Sequence, residues 1–268
     1  MKLLFLGSSE FSVPFLESLY CSYHDVVMVV TSTDAPQGRG KKVLPNPVKK
    51  KAAELGIRVL EANSIGKREL AFIKGEEFQA AVIVSCGIIL PQSFLDIFPH
   101  KCINVHPSLL PLHRGPAPIT EAIKKGDDVT GVSIMEVTLK LDSGPIFTQV
   151  KLRINPLDNR QSLKKKLIKL GCPLLEATLS MIEQENLTPF EQDESKATYT
   201  KRFETQDLKI DWAKKSSHVL NMIRAYSPSP GCFTFLKGKR IKLIEAALAD
   251  SKYKDQTPGS VVSIDDKR

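Results

Sequence analysis

KCINVHPSLLP, residues 101–111, decides how the chain is read. KCINVH (101–106) is an apolar, β-rich run, and Pro107 ends it. Asn104 and His106 lie two apart, so on a strand they face the same way. Two polar groups on one face of a buried strand cost stability unless something satisfies them. They also sit near the strand's C-terminal end, where open α/β sheets bind ligands. A neutral amide donor and an imidazole that exchanges a proton are therefore delivered to one place. The same pair would also serve as a hydrogen-bonded core Asn and His.

Outward from this strand, three more apolar runs precede it: KLLFLG (2–7), DVVMVVT (25–31) and AAVIVS (80–85). Near-continuous apolar runs separated by helical stretches predict an α/β fold with an open, mostly parallel sheet covered on both faces. Ser8 or Ser9 is placed to cap a helix that carries Phe11, Phe15, Leu16 and Leu19 on one face. VTGVSIMEV (129–137) and IFTQVKL (146–152) extend the sheet as an antiparallel pair. A long helix over about 160–185 follows, with Leu163, Leu167, Leu170, Leu174, Leu175, Leu179 and Ile182 at helical spacing. Polar sequence then gives a linker, 187–208, between a catalytic domain, 1–186, and a small basic β-rich domain, 209–268. The last is read as KIDW (209–212), a helix near 214–225, and strands in CFTFL (232–236), RIKLIEA (240–246) and SVVSI (260–264).

Composition narrows the function. The net charge is +8, and residues 201–268 hold 14 Lys/Arg against 8 Asp/Glu, so the excess sits in the last quarter. A basic module beside a near-neutral one suits a polyanionic partner such as nucleic acid, or plain solubility. Five cysteines without a C-x-x-C, and five histidines without H-x-x-x-H, argue against disulfides and metal and for a reducing, cytoplasmic setting. No apolar run approaches the roughly 20 residues of a membrane span, and the opening apolar run is too short for a signal peptide. Neither G-x-G-x-x-G nor G-x-x-x-x-G-K-[ST] is present, which argues against nicotinamide cofactors and nucleoside triphosphates.

A carboxylate would fix the His106 tautomer, and the best candidate is Asp142 in LKLDSGP, at the turn between the two later strands. Asn, His and Asp suit attack on a carbonyl without a covalent intermediate. No G-x-S-x-G is present, so direct transfer is preferred. QGRGKK (37–42) sets cations among glycines and reads as a phosphate-binding loop or a solvated one. Trp212 is read as packing, and His113 and Cys86 as packing or incidental.

NVHPSLLP, RGPAPI (114–119), TGVSIM (130–135) and LDSG (141–144) together resemble the 10-formyltetrahydrofolate-dependent formyltransferases. The methionyl-tRNA branch is the most similar, through the GRGKK loop and the C-terminal segment IRAYSPSPGCFTFLKGKRIKL. The resemblance runs along essentially the whole chain. It implies a Rossmann-like catalytic domain followed by an OB-like β-barrel, here expected to be incomplete because the chain stops just after a strand. It implies a monomeric, metal-free enzyme, off the membrane, that formylates initiator methionyl-tRNA for translation initiation, with 10-formyltetrahydrofolate as co-substrate. Asn104, His106 and Asp142 would be catalytic. Ser108, Leu109, Leu110 and Pro111 would line the folate site, with backbone groups of Gly87, Ile89 and Leu90 on the pterin. Arg39, Lys41 and Lys42 would contact the tRNA acceptor end, and Lys237, Lys239 and Arg240 its backbone. The chain departs from the bacterial pattern at Leu112-His113, usually Arg-Trp, and at Lys140, usually Gly. Competing expectations are formyl transfer to a small amine, formyl-folate hydrolysis, and a non-catalytic RNA-binding protein.

Overall fold

In the computed structural model, residues 1–37, 42–249 and 256–264 are described. β1 (Lys2–Gly7), β2 (Asp25–Thr31), the short β3 (Ala35–Gln37) and β4 (Lys42–Leu44), β5 (Arg58–Glu61), β6 (Ala80–Val84), β7 (Cys102–His106), β8 (Val129–Glu136) and β9 (Ile146–Arg153) come first. Between and after them run α1 (Val13–Tyr20), α2 (Pro47–Glu54), α3 (Lys67–Lys74), α4 (Gln92–Leu95), α5 (Pro118–Lys125) and α6 (Arg160–Glu183). Seven strands form one sheet in the order β5-β2-β1-β6-β7-β8-β9. The first five are parallel, and β8 and β9 add on antiparallel; the sequence led us to expect this arrangement for all but the edge strand β5, whose short, half-exposed RVLE run it did not single out.

β1 shows why the sheet needs two layers of helices. Leu3 and Phe5 join one apolar cluster with Phe15, Leu16 and the α6 residues Leu163, Leu167 and Leu175. Leu4 and Leu6, on the opposite pleat, join a second with Met28, Ile73, Phe94 and Phe98. All four are fully buried, and burying each such side chain is worth roughly 1.5–3 kcal/mol. The chain turns one way from β1 to β2 and the other way to β6, so the sheet's switch point lies at the C-terminal ends of β1 and β6. A Cβ on Gly7 at that end would lie 2.8 Å from the Ser12 Cβ, so only glycine lets α1 start so close to the strand. Ser12, rather than Ser8 or Ser9, holds the α1 cap position. Its hydroxyl bonds the Val84 carbonyl across the switch point instead of capping its own helix.

Beyond α6 the chain crosses back over the sheet edge. Ile146 and Phe190 exchange backbone hydrogen bonds, and Arg114 pairs with Tyr199. α7 (Ser216–Tyr226) and the antiparallel hairpin β10 (Cys232–Leu236) and β11 (Lys239–Leu243) complete the described structure. Leu208, Ile210, Met222, Ile223, Tyr226, Cys232 and Phe233 belong to the same apolar cluster as Leu3 and Phe5. KIDW contributes one bridge, Lys209 to Phe233, rather than a strand. SVVSI forms no strand either; Val261, Val262 and Ile264 are exposed and no described strand lies beside β11 to receive them. Trp212 is half-exposed, with its Nε1 donating to Thr234 Oγ1 at 2.9 Å. No helix among the described residues is long and apolar enough to cross a membrane.

Candidate active site

β7 carries Asn104 and His106 to the C-terminal edge of the sheet, between parallel β6 and antiparallel β8. His106 is buried and Asn104 half-buried, with no hydrogen-bond partner for the Asn104 amide among the described residues. The β8–β9 connection brings Asp142 alongside. Its Oδ2 lies 3.7 Å from His106 Nδ1, longer than a hydrogen bond and ionic only when the ring is protonated. The same oxygen accepts the Gly115 N–H at 2.7 Å.

The Asp142 backbone sits in the left-handed region, φ 47°, which persists in a non-glycine residue only when its surroundings hold it. Gln192 does so, its Nε2 donating to the Asp142 and Gly144 carbonyls at 2.9 and 2.8 Å. Gly144 is required because any Cβ there would run into the Glu136 carbonyl oxygen. Gln192 is in turn gripped by Arg114, a fully buried arginine that donates to Gln192 Oε1, to both Glu194 carboxylate oxygens and to the Tyr199 hydroxyl. A bidentate pair of this kind is strong and geometrically specific.

His106 Nε2 lies 3.0 Å from the His113 carbonyl. A carbonyl only accepts, so Nε2 carries the proton of the neutral ring, and Nδ1 is the bare nitrogen facing Asp142. Burial pushes the His106 pKa below its usual value; Asp142 and the bond to His113 oppose this without overcoming it. The resting ring is therefore neutral at pH 7, ready to take a proton that the neighbouring carboxylate would then stabilise. Asn104 supplies free N–H donors on the same face. Such a set can bind a carbonyl oxygen, receive a proton from an attacking amine and stabilise the oxyanion that forms. Burial raises the thiol pKa of Cys86 and Cys102, so neither is poised as a thiolate nucleophile.

The SLLP residues divide. Ser108 and Leu110 are enclosed by the fold. Ser108 Oγ donates to the Leu112 carbonyl at 2.6 Å, and Leu110 packs with Met135 and Ile146. Leu109 and Pro111 are half-buried, and Leu109 lies against Gly131. Gly87 and Ile89 are exposed and Leu90 half-buried, in irregular backbone with no backbone–backbone hydrogen bonds among the described residues. Their N–H and C=O groups are free for a ligand. Arg39 and Lys41 fall outside the described residues, and Lys42 opens β4. Lys237, Lys239 and Arg240 are exposed at the β10–β11 turn, where the Arg240 guanidinium stacks 3.7 Å over the Phe233 ring.

Sequence reasoning missed Arg114, Gln192 and the contact made by His113. RGPAPI drew attention to Arg114 only as part of a motif. Nothing local to Gln192, within an apparently polar linker, marks it as buried.

The Formyl transferase family model matches residues 1–179, and the Formyl transferase, C-terminal domain model matches residues 202–268. The chain is 36% identical over 265 residues to a methionyl-tRNA formyltransferase of Hydrogenovibrio crunogenus, covering 98% of this chain and 85% of that protein. It is 38% identical over 268 residues to the Natranaerobius thermophilus protein of the same name, covering 98% and 86%. Its fold is similar, at TM-score 0.71 and 20% identity, to the N-formyltransferase from Helicobacter canadensis solved with folinic acid and dTDP-3-aminofucose, covering 93% of this chain and 88% of that one. With its Asn, His and Asp gathered at the edge of a Rossmann-like sheet and both domain models matched in order, the chain belongs to the formyl transferase family.

Proposed function

We propose that this protein transfers the formyl group of 10-formyltetrahydrofolate to the α-amine of initiator methionyl-tRNA, the step that marks the tRNA for translation initiation. The observation that carries the reading is the convergence of Asn104, His106 and Asp142 at the end of β7, in a chain similar over its length to methionyl-tRNA formyltransferases. The free backbone of Gly87, Ile89 and Leu90 suits the hydrogen-bonding edge of a pterin, with Leu109 and Pro111 as the partly exposed members of the SLLP stretch.

In this reading Asn104 holds the formyl oxygen. The neutral amine attacks the formyl carbon, and its proton passes to His106 Nδ1. The resulting imidazolium, flanked by Asp142, stabilises the oxyanion. When the C–N bond to the folate breaks, the proton goes to the departing nitrogen. An aminoacyl amine titrates near or below a free α-amine, about 7.7–8, so positioning matters more than a strong base.

The polyanionic acceptor is supported by a cleft of about 290 Å³ between α5 and α7, lined by Lys124, Lys125, Lys214, Lys215, Ser217, His218 and Asn221. Among the described residues no carboxylate lines it. A small amine substrate needs no such surface.

The test is formyl transfer from 10-formyltetrahydrofolate with methionyl-tRNA, amino sugars and glycinamide ribonucleotide as rival acceptors. Formylation of the tRNA alone is expected. Transfer only to a small amine, or release of formate, would overturn the reading.

A further inference from the structure

The sequence offered His113 no role. The structure puts it directly behind His106. Its carbonyl accepts the His106 Nε2–H at 3.0 Å. That carbonyl points inward because His113 sits at φ 60°, a left-handed backbone that His, Asn and Asp adopt more readily than other non-glycine residues.

Three contacts hold the conformation, and one is on the carbonyl's own peptide: the Arg114 N–H donates to the Thr198 carbonyl at 2.8 Å. The His113 N–H donates to Thr198 Oγ1 at 2.8 Å. On the side-chain end, His113 Nε2 meets Asp127 Oδ2 at 2.6 Å, the length of a charge-assisted bond. The ring is buried, and its Nδ1 has no partner among the described residues, so the Asp127 bond is its one polar tether. Asp127 is itself fixed, because its N–H closes onto the Ala122 carbonyl just past the end of α5. A short line of contacts therefore runs from α5 through Asp127 and His113 to the imidazole of His106.

We propose that His113 and Asp127 form a positioning pair that keeps the His113 carbonyl on His106 Nε2 and so fixes the tautomer in which Nδ1 faces the reacting group. Neither residue needs to touch substrate. Without the tether, the peptide is held from the Thr198 side alone, the carbonyl no longer keeps a fixed distance to Nε2, and the His106 proton redistributes between the two nitrogens. This rests on the reading of His106 as catalytic.

His113→Asn is the informative change, since Asn also tolerates a left-handed backbone but cannot reach Asp127. Asp127→Ala is the second variant; it removes the acceptor altogether at a partly exposed position. Two readouts are needed beside thermal unfolding: the ¹⁵N shifts of the His106 ring, which report its tautomer, and kcat and KM for both substrates.

Wild type is expected to show a single Nε2–H tautomer. Both variants are expected to fold, show averaged ring nitrogens and lose about ten-fold or more in kcat with KM unchanged. A folded variant that keeps the single tautomer and full kcat, whatever its Tm, would overturn the proposal. His106→Ala separates the two claims. Full activity in that variant would sink the catalytic reading, while the ring-nitrogen shifts of His113→Asn would still decide whether the pair fixes the tautomer.

Discussion

At the scale of single residues, the site depends on one neutral histidine and one free amide. Asn104→Ala removes the donor that the proposed mechanism aims at the developing negative charge, and kcat is expected to fall by about 10²–10³, with tRNA affinity unchanged in a filter-binding assay. Unchanged kcat would remove Asn104 from the chemistry. His106 also leaves a mark on stability. Burial depresses its pKa, and burial together with the N-terminal ammonium depresses that of His24. Below about pH 6.5 the unfolded chain then binds more protons than the folded one. Stability is therefore full above that pH and falls as the pH drops toward the folded-state values. The depressed carboxylates, such as Asp193 at about 2, lose their contribution only at more acidic pH. Tm is expected to decline between pH 6.5 and 5, and His24→Asn should reduce the decline. A flat Tm across that window in wild type would contradict the assignment. That Asn104, His106 and Asp142 come together was legible, because strand alternation and a turn are local patterns. The tautomer was not, because it is set by a backbone carbonyl seven residues away, held in place by Asp127 on another element.

At the scale of elements, the turn after β8 and the strap that crosses it act together. Gln192 ties down the Asp142 and Gly144 carbonyls and shares its own oxygen with Arg114. Gln192→Leu leaves two carbonyls and part of a buried guanidinium without partners, and each unsatisfied buried group costs about 1–3 kcal/mol. The variant is expected to lose several kcal/mol in urea unfolding, and kcat should fall because Asp142 is no longer held. Wild-type stability and activity together would show that the strap has no hold on the site. The strands of the sheet could be read from their apolar runs, because a buried parallel strand announces itself in composition. The strap could not. Residues 187–208 are polar and lack periodicity, and their role comes from Arg114, about 80 positions earlier in the chain, which no local pattern reveals. SVVSI misled for the opposite reason: it has strand composition but, among the described residues, no strand that pairs with it.

At the scale of the molecule, charge was legible as a balance and not as a place. The sequence put the basic excess in the last quarter, while the structure gathers lysines from both halves of the chain in the α5–α7 cleft. There Lys124 and Lys125 come from the catalytic half and Lys214 and Lys215 from the C-terminal half. Of these, Lys124 has an ion-pair partner, Glu121 at 3.1 Å, and the other three have none among the described residues. In the hairpin, by contrast, Arg240 is already stacked on Phe233. The two sites make different demands on salt. Each phosphate neutralised contributes roughly 0.7–0.9 to the slope of log affinity against log salt. If the cleft takes two phosphates, replacing its four lysines by glutamine should reduce that slope by about 1.4–1.8, with kcat at saturating tRNA unchanged. Tm should stay within error, since these side chains are largely exposed. Titrating tRNA binding at several salt concentrations, for wild type, the cleft variant and a Lys237/Lys239 double variant, separates the surfaces. A slope reduced only by the double variant would assign the RNA backbone to the hairpin. A slope reduced only by the cleft variant would mean that tRNA binding draws on both halves of the chain at once, with α5, the helix that anchors Asp127, on one wall of the cleft.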